Sequence, residues 1–400
     1  MNDFVFHSPT KIVFGRKVTD RVGSELAAAG YRKALLVYGR GSAVRSGTLD
    51  RVKASLDGAG IGHVELGGVR PNPEIELVRK GAELARESAV DIVLPVGGGS
   101  TMDCGKAIAL AAPYDGDPWD FWAKRAVPQR RIPLAAVVTI PASGSEASNS
   151  CVISNDAEGL KSGCTTELNR PVIAFMDPEL TFTLPAYQTA AGVTDMIAHV
   201  MERFFSGEAG VRATDNIGCG LIRAAMADAA AIMEHPDDYD ARADVMWVGT
   251  LAHNGLADCG LGIPGMRDGD WSCHALQHEL SALDPAIVHG AGLAVIFPAW
   301  MRYVWRSHPE RFLEFGRQVF GIEPEGSSER DVAATVERVI ECLQAFFTSL
   351  GMPRDLGELG IRAEHIDQLL HGLRINKGER FGTFRPLTLD DARAIYESAL

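Results

Sequence analysis

Residues 91–106 read DIVLPVGGGSTMDCGK, and the stretch has three parts. Asp91–Val96 is a short, mostly apolar run, Gly97–Gly99 is a glycine turn ending in Ser100, and an apolar helical pattern continues past Lys106. Three glycines let the backbone approach a ligand with no Cβ in the way. The helix that follows turns its free N–H groups and the positive end of its dipole toward the same spot. Together these features make a phosphate site. The plainer alternative is a tight strand-to-helix turn with Ser100 as its cap. The stretch matches neither G-x-G-x-x-G nor G-x-x-x-x-G-K-[ST].

On either side of this stretch the pattern repeats. Ala34–Tyr38 (ALLVY), His63–Leu66, Leu134–Ile140 (LAAVVTI) and Val172–Met176 (VIAFM) read as further strands, and Glu74–Ser88 has helical spacing through Ile75, Val78, Ala82 and Leu84. Strand–helix–strand repetition calls for a parallel sheet covered by helices. Continuous apolar strands fit a sheet buried on both faces. Two more glycine- or serine-rich turns follow strands, Gly39-Arg40-Gly41-Ser42 and Pro141-Ala142-Ser143-Gly144-Ser145-Glu146. Ligands of parallel sheets sit outside the carboxyl ends of strands, so three such turns favour a nucleotide. A carboxylate after the first strand would favour NAD by bonding the ribose 2′-hydroxyl. Here Gly39 is followed by Arg40, which leaves room for a 2′-phosphate and favours NADP.

Beyond Thr183-Leu184-Pro185 strand signals nearly vanish. Helical patterns cover 188–205, 213–233, 243–254, 274–283, 309–320 and 330–350. The expected organisation is an α/β N-terminal dinucleotide-binding domain with a parallel sheet, residues 1–184, and an all-α C-terminal domain, residues 185–400. A length of 400 residues suits two domains. The formal net charge of −13 argues against a nucleic-acid partner. Met1–Phe14 lacks the apolar core of a signal peptide, and runs such as Leu293–Trp300 fall short of the ~20 residues that cross a bilayer. Seven scattered cysteines without a C-x-x-C suit reduced thiols, so we expect a cytoplasmic protein with no membrane partner.

Among the eleven histidines one group stands out. Asp195 and His199 are four residues apart, as are His274 and His278, and His289 follows. An i, i+4 pair shares one helix face. A single imidazole on an apolar helix is usually a satisfied core residue, but four with a carboxylate point to a divalent metal. Nitrogen and oxygen donors without thiolate suit Fe²⁺, Zn²⁺, Ni²⁺ or Mn²⁺. A catalytic metal keeps one position open, so one of the five candidates is expected outside the coordination sphere.

With these residues in view, the chain resembles the iron-containing (group III) alcohol dehydrogenase family, in its butanol dehydrogenase and NADPH-dependent aldehyde reductase branch. The resemblance runs from Pro9–Gly15 through Pro71-Asn72-Pro73, the GGGS turn with Asp103 and Lys106, and Thr139–Glu146. It continues through Asp177-Pro178, Gln188–Asp195 and His199 to His274, His278-Glu279-Leu280 and His289–Leu293. It implies the dehydroquinate synthase-like fold of that family: a dinucleotide domain, a helical metal-binding domain and a homodimer, with the active site in the cleft between domains. It also implies NAD(P)-linked conversion of short- to medium-chain primary alcohols and aldehydes, with Fe²⁺ or Zn²⁺ as metal.

By the same resemblance the metal ligands are Asp195, His199, His274 and His289. His278 is a proton-relay residue beside the substrate, with Asp103 as a second catalytic position. The cofactor positions are Gly39, Ser42, Asn72, Gly98, Gly99, Ser100, Asp103, Thr139, Ser143, Lys161 and Leu180. His274 to His289 spans one residue more than the family usually shows, and we place the extra residue in the loop before His289. A glycerol dehydrogenase-like polyol oxidoreductase and a dehydroquinate-synthase-like lyase share the fold. The lyase needs basic residues for a phosphorylated substrate, and only Arg170 and Arg267 lie near the motifs. Trp119, Phe121, Trp122, Trp247, Trp271 and Phe297 are the aromatic residues available to line an apolar pocket.

Overall fold

In the computed structural model, which describes residues 1–207, 210–262 and 269–400, the apolar runs of the first half pair into a six-stranded parallel sheet. The elements in order are β1 (Lys11–Phe14), α1 (Val22–Ala28), β2 (Lys33–Gly39), α2 (Ser42–Arg45), α3 (Thr48–Gly58), β3 (Gly62–Val69) and α4 (Ile75–Glu87). There follow β4 (Ile92–Gly97), α5 (Gly99–Ala111), α6 (Trp119–Trp122), β5 (Ala135–Val138), β6 (Ser150–Asn155), β7 (Leu160–Thr165) and β8 (Ile173–Met176). The sheet order is β1-β8-β5-β4-β2-β3, with every neighbouring pair parallel.

Side chains of a strand alternate between faces, so a strand apolar throughout must be covered on both. β2 and β4 show this: Leu35, Val37 and Val93 enter one core with Val78, Ala107, Ile108 and Trp122. Ala34, Leu36, Ile92 and Leu94 enter another with Val22, Leu26, Val52 and Leu56. From β2 the chain moves out to β3 and then returns to β4 on the other side of β2. The strand order therefore reverses between β2 and β4, and the crevice at their carboxyl ends is where an open α/β sheet takes its ligand.

Three strands escaped the sequence reading. β1 is a four-residue edge strand, and β6 and β7 form an antiparallel hairpin off the main sheet. Their sequences, SCVISN and LKSGCT, are short and interrupted by polar residues and glycine, so they lack the continuous apolar signal of the buried strands.

The helical part comprises α7 (Ala186–Phe204), α8 (Arg212–Glu234), α9 (Tyr239–His253), α10 (Ser272–Leu283) and α11 (His289–Val304). It continues with α12 (Pro309–Phe315), α13 (Glu329–Ser349), α14 (Ile366–Lys377), a two-residue ladder of β9 (Arg380–Phe381) with β10 (Leu387–Thr388), and α15 (Leu389–Ser398). α11 is buried around nearly its whole circumference. Such a helix shows no amphipathic stripe, which is why its sequence registers only as an apolar run.

The chain forms two compact units that differ from a single cut after residue 184. The α/β unit comprises Ser8–Leu184 and Asp237–Thr250, and the helical unit comprises Met1–His7, Pro185–Pro236 and Leu251–Leu400. Met246, near the middle of α9, packs with Met102, Ala136, Val138 and Met176, and the Thr250 hydroxyl donates to Glu146 at 2.5 Å. Those contacts hold Asp237–Thr250 to the α/β unit. The expectation of only short apolar runs also needs correction. α8, 23 residues long, is long and apolar enough by length and composition to cross a bilayer. In the structure Gly218, Cys219, Ile222, Ala225, Ala229 and Ile232 form its buried face, and Asp215 pairs with the buried Arg311 at 2.9 Å.

Candidate functional site

In the α/β unit the residues expected to hold a dinucleotide gather at the carboxyl ends of neighbouring strands. Gly39 ends β2 and Ser42 opens α2. Gly98 precedes α5, and Gly99 and Ser100 form its first turn. β5 pairs with β4 as Gly97↔Val138, and Thr139, just beyond, donates its N–H to Gly97 O at 3.0 Å. Leu180 lies in the short helical turn Pro178–Thr181 after β8. Asn72 and Lys161 are more peripheral. Asn72 has a left-handed φ of 56°, a conformation Asn tolerates. Lys161 is a buried residue of β7 opposite Ser154, whose N–H bonds Pro73 O at 2.8 Å and so ties the hairpin to the Asn72 turn.

The three glycines have a packing reason besides room for a ligand. A Cβ at Gly97 would meet the Thr101 Cβ at 2.6 Å, one at Gly98 the Ile140 Cβ at 3.0 Å, and one at Gly99 the Ser143 Oγ at 2.5 Å. The turn is thus pressed against the loop that follows β5.

Asp103 and Lys106, one helical turn apart on α5, hold that loop. Asp103 accepts the Ser145 hydroxyl at 2.8 Å and the Val152 N–H at 2.9 Å, one on each carboxylate oxygen. The fully buried Lys106 ammonium donates to Ser148 O (3.1 Å), Ser148 Oγ (3.2 Å) and Ser150 O (2.8 Å). Desolvation pushes Asp103 above the usual carboxylate range, opposed by the Lys106 charge and these donors. Burial lowers Lys106, opposed by Asp103. Arg170 belongs to the same scaffold, paired with Glu167 at 2.8 Å and donating to Ala147 O. Arg267 lies outside the described residues.

In the helical unit, α7 is buried at every position from Thr189 to Phe204. Asp195 and His199 therefore lie in a dry setting, where polar groups need partners. α10 supplies His274 and His278, and α11 begins at His289. Residues 284–288 form the connection between α10 and α11. Gly290 sets the approach of α11: a Cβ there would meet Ala191 O of α7 at 2.0 Å. Only glycine lets the start of α11 lie that close to α7, and this brings His289 to Asp195.

Asp195 Oδ1 lies 3.5 Å from His289 Nε2, 3.7 Å from His274 Nε2 and 3.8 Å from His199 Nε2. Donor atoms of Asp195, His274 and His289 all lie within 4.8 Å of one another. Donors around a cation at ~2.1 Å would stand about 3.4 Å apart in a tetrahedron, close to the separations from Asp195, with His199 outside the mutually close group of three. Among the described residues, the His274 Nε2 and His199 Nδ1 are buried with no hydrogen-bond partner. For His274 Nε2, which faces Asp195, a cation supplies the missing partner, so the donor set fits a divalent metal. The side chains of Asp195, His199 and His274 are 5–7% exposed and that of His289 is 28% exposed, so the cluster opens on the His289 side. His278 is half-buried with its ring centroid 5.4 Å from that of His289.

Burial holds His199 well below the ordinary imidazole value despite Asp195, with His253 and His274 adding to the shift. A neutral His199 has a lone pair available. Burial also acts to lower His274, but Asp195 and Glu202 raise it above its ordinary value. At 3.7 Å Asp195 acts on His274 as a nearby charge, whereas Glu202 is a hydrogen-bond acceptor at 2.8 Å. Asp270 braces the start of α10, accepting the N–H groups of Ser272 (3.1 Å), Thr383 (2.6 Å) and Phe384 (2.7 Å). Burial, reinforced by the Glu202 charge, pushes its carboxyl up to about 6.

Sequence reasoning passed over Glu202, Asp270 and His253, whose ring lies 4.2 Å from that of His199. Glu202 was within reach, because it continues the Asp195–His199 face of α7. Of the aromatic candidates, Trp119, Phe121, Trp122 and Phe297 are core residues and Trp247 packs on Phe14, while Trp271 stands 5.1 Å from the His274 ring.

A nucleotide-type α/β unit and a histidine–carboxylate donor cluster in a helical unit define a class of metal-dependent dinucleotide enzymes. Comparison with known proteins is narrower. The profile described as iron-containing alcohol dehydrogenase matches residues 9–178, and that of the Fe-containing alcohol dehydrogenase family, C-terminal, matches residues 189–400. The chain is 38% identical to NADH-dependent butanol dehydrogenase A of Clostridium acetobutylicum over all of both chains. It is 34% identical to the NADPH-dependent aldehyde reductase YqhD of Escherichia coli, again over both chains entire. The crystal structure of NADH-dependent butanol dehydrogenase A from Thermotoga maritima matches with a TM-score of 0.94 and 38% identity, over 100% of this chain and 99% of that one. The chain belongs to the iron-containing alcohol dehydrogenase family and is an alcohol/aldehyde oxidoreductase.

Proposed function

We propose that this enzyme reduces short- to medium-chain aldehydes and oxidises the matching primary alcohols with NADP(H) in preference to NAD(H). In this reading Asp195, His199, His274 and His289 hold Fe²⁺ or Zn²⁺. The carrying observation is the convergence of one carboxylate oxygen and three imidazole nitrogens in a nearly dry setting. When bound, the cation stabilises an alkoxide or polarises a carbonyl, and the nicotinamide carries the hydride.

One anionic and three neutral donors leave positive charge at the site, which that role needs. Gly98, Gly99 and Ser100 offer the α5 N-terminus to phosphate. Gly39, Ser42, Asn72, Thr139, Ser143, Lys161 and Leu180 complete the dinucleotide's surroundings. With both carboxylate oxygens engaged by Ser145 and Val152, Asp103 is better suited to holding the loop that carries Ser143 than to moving a proton. His278, beside the more open His289, takes or gives the substrate proton at a ring nitrogen and passes it to water.

The NADP(H) preference rests on Arg40, exposed directly after β2 where a carboxylate would select the 2′-hydroxyl. Printed names of the relatives divide between NADH and NADPH. A cytoplasmic homodimer with no nucleic-acid or membrane partner completes the reading. Its support is the −13 charge, seven cysteines outside any disulfide and the family resemblance; sedimentation checks the dimer.

The test mixes protein purified without oxygen with NADPH and butanal and follows cofactor absorbance, alongside metal analysis. Wild type is expected to consume NADPH, and His274→Ala to lose both metal and activity. A metal-free His274→Ala protein at the wild-type rate would refute the reading.

A further inference from the structure

Glu202 lies three residues after His199 and seven after Asp195 on α7, so the three share a helix face. The residue is 1% exposed. Its Oε1 accepts two hydrogen bonds from one residue of α10, the backbone N–H of His274 at 2.9 Å and the ring Nδ1 at 2.8 Å. A carboxylate only accepts, so Nδ1 carries a ring hydrogen, and in the neutral ring that a metal requires Nε2 keeps its lone pair. That Nε2 is the buried atom with no hydrogen-bond partner among the described residues, 3.7 Å from Asp195 Oδ1. A second tie runs from Asp270 N–H to the Glu202 carbonyl at 2.8 Å.

We propose that Glu202 is a positioning residue for the metal: by holding the His274 ring and backbone through one oxygen, it fixes the tautomer and ring plane that aim Nε2 at the cation. His274 cannot turn its ring without breaking the Nδ1 bond, and α10 cannot slide without breaking the backbone bond. His199 has no such device. Its Nδ1 is buried with no hydrogen-bond partner among the described residues, and its ring packs against His253 and His274. Of these two histidines, one is oriented by a charged acceptor and the other by neighbouring rings, so metal affinity depends disproportionately on Glu202. Carboxylate partners of histidine ligands typically contribute about 10–100-fold to metal affinity.

This inference rests on the metal reading above, and the experiment separates the two. Zn²⁺ is the probe, added to metal-free wild type, Glu202→Ala, Glu202→Gln and His274→Ala in competition with a chromophoric chelator. Thermal melts of the metal-free forms confirm folding. Glu202→Ala is expected to bind Zn²⁺ about 10–100-fold more weakly. Glu202→Gln, which keeps an acceptor oxygen at the same reach, is expected to recover most of that loss. Nitrogen-15 NMR of the His274 ring in metal-free protein is expected to show the Nδ1–H form in wild type and a mixture in Glu202→Ala; a merely structural role for Glu202 would not move this readout. Wild-type Zn²⁺ affinity in folded Glu202→Ala, with loss in His274→Ala, overturns the inference alone. Wild-type affinity in His274→Ala overturns the metal reading itself. If Glu202→Ala does not fold, the wild-type tautomer and Glu202→Gln decide: an Nε2–H ring in wild type overturns the inference.

Discussion

On the function proposed above, the glycine turn before α5 and the donor cluster of α7, α10 and α11 solve opposite electrostatic problems. The first attracts an anion in a chain of charge −13, and does so with backbone N–H groups, a helix end and small residues adjacent in sequence. The second attracts a cation with side chains spread from Asp195 to His289, aimed by Glu202 and Asp270 and by a helix contact that Gly290 allows. A site made from local backbone tolerates much change elsewhere. A site made from distant side chains fails whenever the packing that aims them shifts.

Beyond the loss of metal expected for His274→Ala, the largest effect that sharpens this contrast concerns Asp270. Its folded-state value of about 6 exceeds the ordinary 3.8, so the folded protein binds more protons than the unfolded chain between those limits. Stability assignable to Asp270 therefore falls as pH rises through that window, by about 3 kcal/mol once pH passes 6. Denaturation of wild type and Asp270→Asn from pH 4 to 7 should show their difference changing by about 2 kcal/mol of that total, since titration of the donors is common to both. A flat difference breaks the assignment.

In the other region Gly97→Ala should force the first turn of α5 away from its strand, because the new Cβ would meet Thr101 Cβ at 2.6 Å. We expect about 1–3 kcal/mol of strain and a dinucleotide affinity lower by roughly tenfold or more, with Zn²⁺ affinity unchanged. Loss of both bindings together would show that the two regions are not independent. The smallest effect is expected of Arg40→Ala: about tenfold off the NADPH-to-NADH ratio of kcat/KM, with NADH kinetics little altered, since one charge contact to a phosphate is worth about 1.5–3 kcal/mol.

Legibility followed the same divide. Strands apolar on both faces, the glycine turn and the i, i+4 pairs Asp195–His199 and His274–His278 could be read because each is a local pattern. The β6–β7 hairpin could not, because its apolar face is only Cys151, Ile153 and Cys164, interrupted by polar positions and tied in place by Lys106, Asp103 and Asn169. α11 was hidden by being apolar all round, and α14 and α15 went unassigned although Thr388 and Asp391 form a capping box at the start of α15. Arg170, one of the two basic residues near the motifs that a lyase would have to use, is occupied by Glu167 and Ala147.

The sequence by itself determined the class of each half: continuous apolar runs alternating with helical patterns require a covered parallel sheet, and the spacing of Asp195, His199, His274 and His278 requires shared helix faces. Only the tertiary structure decided which atoms meet. It assigned Asp237–Thr250 to the α/β unit and brought His289 within 3.5 Å of Asp195, and it set Glu202 behind His274. The physical reason is range: periodicity is written in neighbours along the chain, whereas ligand geometry depends on how close two helices pack, and that is settled by contacts such as Gly290 on Ala191.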